Sequence, residues 1–300
     1  MQIIFTDAEP SDLDTLLPFA QEFNQEDHHP FDEAVIQAGL AGLLGDRAAG
    51  RAWLIRDGTE AVGYLVLTLG YRLAYGRYAF IDEIYVRPDY RSRGIGRRAI
   101  AFAEEMCRML GVKALHLEVE RENTKAHALY LAVGFRDDNH YLMTCWLADA
   151  HSHSSDPAEV TFKPARNSDI ELLIGLRQEA GAEGQANSRT SLGQVVGDNG
   201  LGWIWLVEAL DQPVGYMAVT FSYSLEFHGR DALLDELYLR PSAQAFARPS
   251  LRFAQAQCQA LGVNALHVEM ERANAPAQSL YRAAGFVDDN SYLMTKWLLQ

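Results

Sequence analysis

Apolar residues along the first half of the chain change their spacing at regular intervals. Gln2–Thr6 predicts a short strand, and after Pro10-Ser-Asp the residues Leu13, Leu16, Leu17, Ala20 and Phe23 keep helical spacing. The polar stretch Asn24–Asp32 reads as a loop, and a second helix runs from there to about Leu44. Ala52–Arg56 and Val62–Leu69 predict two strands, with Asp57-Gly58 between them as a hairpin signal. Ala79–Val86 is strand-like, Ala99–Leu110 helix-like, Ala114–Val119 strand-like and Asn123–Ala132 helix-like. A last strand pair ends at Trp146. Strands alternating with helices place the chain in the α/β class.

The same order then repeats. Gly111-Val-Lys-Ala-Leu-His-Leu-Glu-Val-Glu-Arg-Glu-Asn123 returns as Gly262-Val-Asn-Ala-Leu-His-Val-Glu-Met-Glu-Arg-Ala-Asn274. Tyr141-Leu-Met-Thr-Cys-Trp-Leu147 returns as Tyr292-Leu-Met-Thr-Lys-Trp-Leu298, and Val62-Gly-Tyr as Val214-Gly-Tyr. A period of about 150 residues is too long for a solenoid and predicts a duplicated domain. The expected organisation is residues 1–148 and 159–300 as two domains, with the polar segment 149–158 as linker. His151 and His153 fall in that linker and read as flexible chain, not a metal pair.

One junction carries chemistry. Between Val86 and Ala99 stands Arg87-Pro-Asp-Tyr-Arg-Ser-Arg-Gly-Ile-Gly-Arg-Arg98, with five arginines and two glycines. Gly94 and Gly96 allow a tight turn and close approach of a ligand, and the amides opening the next helix have no partner within it. Together they predict an anion site, most naturally for phosphates. The second half has Arg240-Pro-Ser-Ala-Gln-Ala-Phe-Ala-Arg-Pro-Ser-Leu-Arg252 there, without glycine and two residues shorter between matching positions (Arg240 to Cys258 against Arg87 to Cys107), and Pro249 removes a donor.

Composition narrows the class. With 48% hydrophobic and 22% charged residues the chain is globular, and a net charge of -14 argues against a nucleic-acid binder. No apolar run is long enough for a membrane span and no signal peptide opens the chain. Three cysteines without metal spacing suit a reducing cytoplasm. His116 and His267 recur in matching strands and read as structural; Cys107 and Cys258 read as core.

Two motifs at the right separation make the chain resemble, in both halves, the GNAT superfamily of acyl-CoA-dependent N-acyltransferases. These are Arg91-Ser-Arg-Gly94-Ile-Gly96 and the set Asn123, Ala126, Leu129, Tyr130, Gly134, Phe135. The resemblance implies two tandem domains, each a central, mostly antiparallel mixed sheet flanked by helices. It implies acetyl-CoA as cosubstrate, no metal, and acetyl transfer to a primary amine of a small molecule or peptide. The amides of Arg91, Ser92, Arg93, Gly94, Ile95, Gly96 and Arg97 would hold the pyrophosphate. Ile84, Tyr85, Val86, Asn123 and Ala126 would follow the pantetheine arm, and Tyr130 would be the general acid. Asp82 and Glu83 are the candidate bases. As neighbours in a strand they are expected on opposite faces, so that one reaches the amine, with Glu83 preferred. Each also has a plain reading as an arginine partner. The expectation is one CoA site, in the N-terminal half, with the other half as scaffold or pocket wall, in a monomer with pseudo-dimeric halves or a homodimer. A non-catalytic CoA-binding regulator of the same fold is the alternative.

Overall fold

Within each half the elements follow the periodicity closely. The computed structural model describes residues 2–26, 31–147, 160–181, 188–288 and 290–298. In the first half these are β1 (Ile3–Asp7), α1 (Leu13–Glu26), α2 (Glu33–Gly45), β2 (Gly50–Asp57), β3 (Glu60–Arg72), β4 (Gly76–Val86), α3 (Ile95–Met109), β5 (Ala114–Glu120), α4 (Thr124–Ala132), β6 (Arg136–Asp137) and β7 (His140–Trp146). The second half repeats them as β8 (Val160–Pro164), α5 (Ile170–Glu179), α6 (Ser188–Gly197), β9 (Gly202–Ala209), β10 (Gln212–Ser224), β11 (Gly229–Leu239), α7 (Ala247–Ala260), β12 (Ala265–Glu271), α8 (Ala275–Ala283), β13 (Val287–Asp288) and β14 (Ser291–Trp297). The proposed linker, with His151 and His153, lies outside the described residues, as do residues 27–30 of the first loop.

Local chemistry sets the ends of these elements. Asp32 caps α2 by accepting from the amides of Ala34 and Val35, while Asn123 and Asn274 cap α4 and α8 from Ala126 and Ala277. The glycine of the repeated Val-Gly-Tyr is required by the sheet. A Cβ on Gly63 would lie 2.1 Å from the Tyr85 carbonyl oxygen, and one on Gly215 would lie 2.2 Å from that of Tyr238.

Two seven-stranded sheets result, in the orders β1-β2-β3-β4-β5-β14-β6 and β13-β7-β12-β11-β10-β9-β8. Pairing is antiparallel except for β4 with β5 and β11 with β12. The final strand of each half is exchanged. β14 runs Ser291–Trp297 against Glu120–Ala114 of β5, and β7 runs His140–Trp146 against Glu271–Ala265 of β12. The strand pair expected to end the first half at Trp146 is therefore divided: β6 stays with its own sheet and β7 leaves it. Met294 and Met143 are fully buried in the opposite half's core.

Pairing pattern alone does not choose between exchanged and unexchanged strands, because both final strands read Tyr-Leu-Met-Thr-x-Trp-Leu. Side chains do choose. Lys296 Nζ lies 2.6 Å from Glu104 Oε1 on α3, whereas Cys145, its counterpart, receives the Gln255 amide of α7 at 3.2 Å. Without exchange, Cys145 would face the buried Glu104, left with Arg108 alone, and Lys296 would face Gln255 without its counterion.

The halves also interlock at their centre. Tyr71 and Leu73 pack among α5 and α6, with the Tyr71 hydroxyl 2.5 Å from Gln194 Oε1. Reciprocally, Leu225 packs with α1 and α2, and the Tyr223 hydroxyl donates to the Gly39 carbonyl at 2.7 Å. No helix among the described residues is long and apolar enough to cross a membrane.

If the ion pair selects the exchange, Lys296→Met lowers stability by about 1–3 kcal/mol by leaving Glu104 with only the half-exposed Arg108 as counterion. Adding Glu104→Gln to the same chain recovers most of that loss, as read by urea unfolding.

Candidate active site

β4 and β5 pair only at Tyr78–Phe80 with Ala114–His116, and beyond that point they separate. The opening continues into a cavity of about 1100 Å³. Arg87 donates its amide to Val62 on the β3 side. Antiparallel alternation then turns the amides of Ile84 and Val86 away from β3, toward the separated edge. Tyr130, 9% exposed, lines the cavity from α4 together with Asn123 and Ala126.

At the mouth, Ser92 and Gly94 take φ values of +60° and +79°, the left-handed region that favours glycine at the second position. Among the described residues, the backbone amides from Ser92 to Arg97 have no protein acceptor. A Cβ on Gly96 would meet only Leu129 Cδ2, at 3.9 Å, so the protein's own packing does not demand glycine there. These residues form an open nest of donors at the start of α3, suited to a pyrophosphate.

Most of the arginines brace this loop, and of the five Arg91 and Arg97 line the cavity. The Arg91 Nε donates to the Val86 carbonyl at 2.7 Å, and its guanidinium pairs with Glu26 of α1. Arg87 pairs with Glu22, Arg93 donates to the Asp89 carbonyl and Arg98 to that of Ile3. Arg97 lines the cavity and makes no hydrogen bond or ion pair among the described residues. Lys125, on the first turn of α4, lines it as well and was not singled out from sequence.

Both candidate bases line the cavity, contrary to the expectation of opposite faces. The cause is a bulge: Val66 is opposite Glu83 and Leu67 opposite Ile81, leaving Asp82 out of the ladder and breaking the alternation. Their surroundings differ. Asp82 accepts the Leu225 amide of the other half at 2.8 Å. Burial pushes its pKa up to about 7, against the pull of that amide and of the Ser224 hydroxyl. Glu83, 5% exposed, accepts the Tyr64 hydroxyl at 2.5 Å. His116 also faces the cavity, its Nδ1 2.9 Å from Thr295 of the exchanged strand and its Nε2 2.8 Å from the Tyr75 hydroxyl. Burial, followed by nearby Arg72, lowers its pKa to about 3, so it is neutral.

The equivalent site of the second half is closed by two arginines. Arg177 of α5, fully buried, reaches Glu236 at 2.9 Å through Nε and 2.5 Å through Nη2; its counterpart in α1 is Ala20. Arg72 of the first half meets Glu269 at 2.5 Å and Asp235 at 3.4 Å; its counterpart is Ser224, which leaves the first cleft open. Asp235 accepts the Leu73 amide at 2.6 Å, mirroring Asp82. In place of the glycine nest a six-residue 3-10 turn, Pro241–Phe246, leads directly into α7. Phe246 packs there against Val207 and Leu239.

Removing Arg177 should expose this difference. Arg177→Met leaves the partly buried Glu236 with the Tyr216 hydroxyl but no counterion and costs about 1–3 kcal/mol, and Glu236→Gln in the same chain restores much of it in urea titrations. The bulged aspartates give a pH dependence. With folded pKa values of about 7 for Asp82 and about 6 for Asp235, against 3.8 ordinarily, the folded state holds more protons than the unfolded one between these values. Stability contributed this way is complete below pH ~4 and lost as pH rises to ~7. Asp82→Asn should flatten the decline in a melting series across that range.

The Acetyltransferase (GNAT) family profile matches residues 13–135 and 175–286. A thialysine N-epsilon-acetyltransferase of Bos taurus is 36% identical over 81 residues, which is 27% of this chain and 48% of that protein. The chain thus spans about half the length of that relative. An aminoalkylphosphonate N-acetyltransferase of Salmonella typhimurium is 29% identical over 38% of this chain and 73% of its own. Among solved structures, a tandem GNAT protein from the clavulanic acid biosynthesis pathway aligns over 100% of this chain and 99% of its own, at 18% identity and a TM-score of 0.53. A GCN5-related N-acetyltransferase from Sphaerobacter thermophilus aligns over 99% and 96%, at 18% identity and a TM-score of 0.59. With the family profile met in each half and the tandem fold shared end to end, the chain belongs to the Acetyltransferase (GNAT) family.

Proposed function

We propose that this chain transfers an acetyl group from acetyl-CoA to a primary amine, by direct attack, at one site in its N-terminal half. The observation that carries this reading is one cavity joining the open amides of residues 92–97 to Glu83 and Tyr130. Bound acetyl-CoA supplies a thioester activated toward amines. The chain's own groups fit that ligand: the nest, Arg97 and Lys125 suit its phosphates, and the outward amides of Ile84 and Val86 suit a pantetheine arm laid down like an added strand. The Val86 amide is placed to stabilise negative charge developing on the thioester oxygen.

Asp82 Oδ2 is taken up by the Leu225 amide of the other half, so the base assignment goes to Glu83. Glu83 takes a proton from the ammonium group, which must be neutral to attack. As the C–N bond forms and the C–S bond breaks, Tyr130 gives its phenolic proton to the departing sulfur. A cysteine intermediate is disfavoured, because Cys107, Cys145 and Cys258 are buried and burial pushes the Cys107 and Cys258 thiols up to about 12. The relatives' names refer to amines of different kinds, which supports an amine acceptor without choosing one.

Calorimetry should find one acetyl-CoA per chain, with binding abolished by Gly96→Val at unchanged melting temperature. Glu83→Gln should lower kcat by about 10²–10⁴-fold while leaving acetyl-CoA affinity intact. Two equivalent sites, or an unchanged kcat, would overturn the reading.

A further inference from the structure

The cavity does not end at the reacting groups. It continues past Asp82 into a region walled by the second half, where Ser222, Ser224, Glu226, Phe227, Asp231 and His267 line it. Asp231 is 6% exposed. Its Oδ2 lies 3.1 Å from His267 Nε2, and His267 is held in turn through Nδ1 by Thr144 of the exchanged strand, at 2.9 Å. The other oxygen, Oδ1, is buried with no hydrogen-bond partner among the described residues. A buried carboxylate oxygen left without a donor is costly and needs an explanation.

The fold does not call for this carboxylate. Asp231 pairs with Ala265 as Tyr78 pairs with Ala114, so the same place in the first half carries a phenol. Acidic side chains gather at this end of the cavity. Asp82 and Glu226 face the same space as Asp231, while Arg72 is engaged by Asp235 and Glu269 and His116 is neutral. A donor with positive charge would complete Oδ1.

We infer that the far end of the cavity is a second-cation subsite built by the C-terminal half, with Asp231 receiving a second ammonium group of the acceptor. The inference rests on the acetyltransferase reading above and deepens it: the acceptor is a diamine or polyamine. One amine reacts beside Glu83 while another is held by Asp231. The C-terminal half thereby selects the substrate without performing chemistry.

The test compares putrescine and longer diamines with butylamine and aminobutanol on the full chain, for the wild type and Asp231→Asn. The expected result is a diamine KM lower than that of either comparison compound by about tenfold or more. Asp231→Asn should erase that advantage by raising the diamine KM, leaving kcat and the butylamine KM nearly unchanged, and Asp231→Glu should restore part of it. Equal KM values for diamine and butylamine, or an amino alcohol as good as the diamine, overturn the inference while leaving the acetyltransferase reading intact. If no amine is acetylated, calorimetry in the presence of CoA decides. Diamine binding that is lost in Asp231→Asn keeps the subsite and sinks the enzyme, and no diamine binding to the wild type sinks the subsite. Should Asp231→Asn fail to fold, the wild-type comparison of the amines decides alone.

Discussion

Each sheet of this protein is completed by a strand from the other half, and much of the remaining structure depends on that exchange. β5 and β12 would otherwise present an unpaired edge toward β6 and β13, which are too short to cover it. β14 and β7 supply the missing hydrogen bonds and drive Met294 and Met143 into the opposite cores, where burying a side chain of that size is worth roughly 1.5–3 kcal/mol. The two halves thus do not form separate cores joined by a tether. His116 and His267 are oriented by threonines of the exchanged strands, so the walls of the central cavity are themselves products of the exchange.

Against this symmetric frame, a few substitutions separate the halves by function. Ser224 lines the open cleft and Ala20 lies in the core of the first half, while Arg177 and Arg72 occupy the matching positions and fill the closed site. A buried guanidinium against a carboxylate is a stable way to retire an acid, because neither charge can leave without stranding the other. One of them, Arg72, also ties the halves together, reaching from β3 to Asp235 and Glu269 of the second half.

Much of the candidate site was legible in local sequence. Gly94, Gly96, Asn123 and Tyr130 announce themselves because a turn, a close approach, a helix cap and a motif position are all local requirements. The roles of the arginines were not. A cluster such as Arg87, Arg91, Arg93 and Arg98 looks like phosphate binding until Glu22, Glu26 and three carbonyls are seen to take up those donors. The face of Asp82 was misjudged for a similar reason: strict alternation holds only in an unbroken ladder, and the bulge at Asp82 breaks it. Asp231 gave no signal, since its meaning depends on a cavity belonging to the other half.

By itself the sequence determined the element order, the duplication, the glycine turn that opens α3 and the half that carries it, because hydrophobic period, caps and turn residues act over a few neighbours. It also held one sign of the exchange. Cys145 differs from Lys296 as Gln255 differs from Glu104, and these pairs match only across halves. Reading that sign requires knowing that the strand and the helix meet. Tertiary structure alone decided which sheet each final strand joins, which acids are neutralised and which remain in the cavity. Those outcomes depend on charges brought together from positions far apart in the chain, and burial gives such contacts their weight.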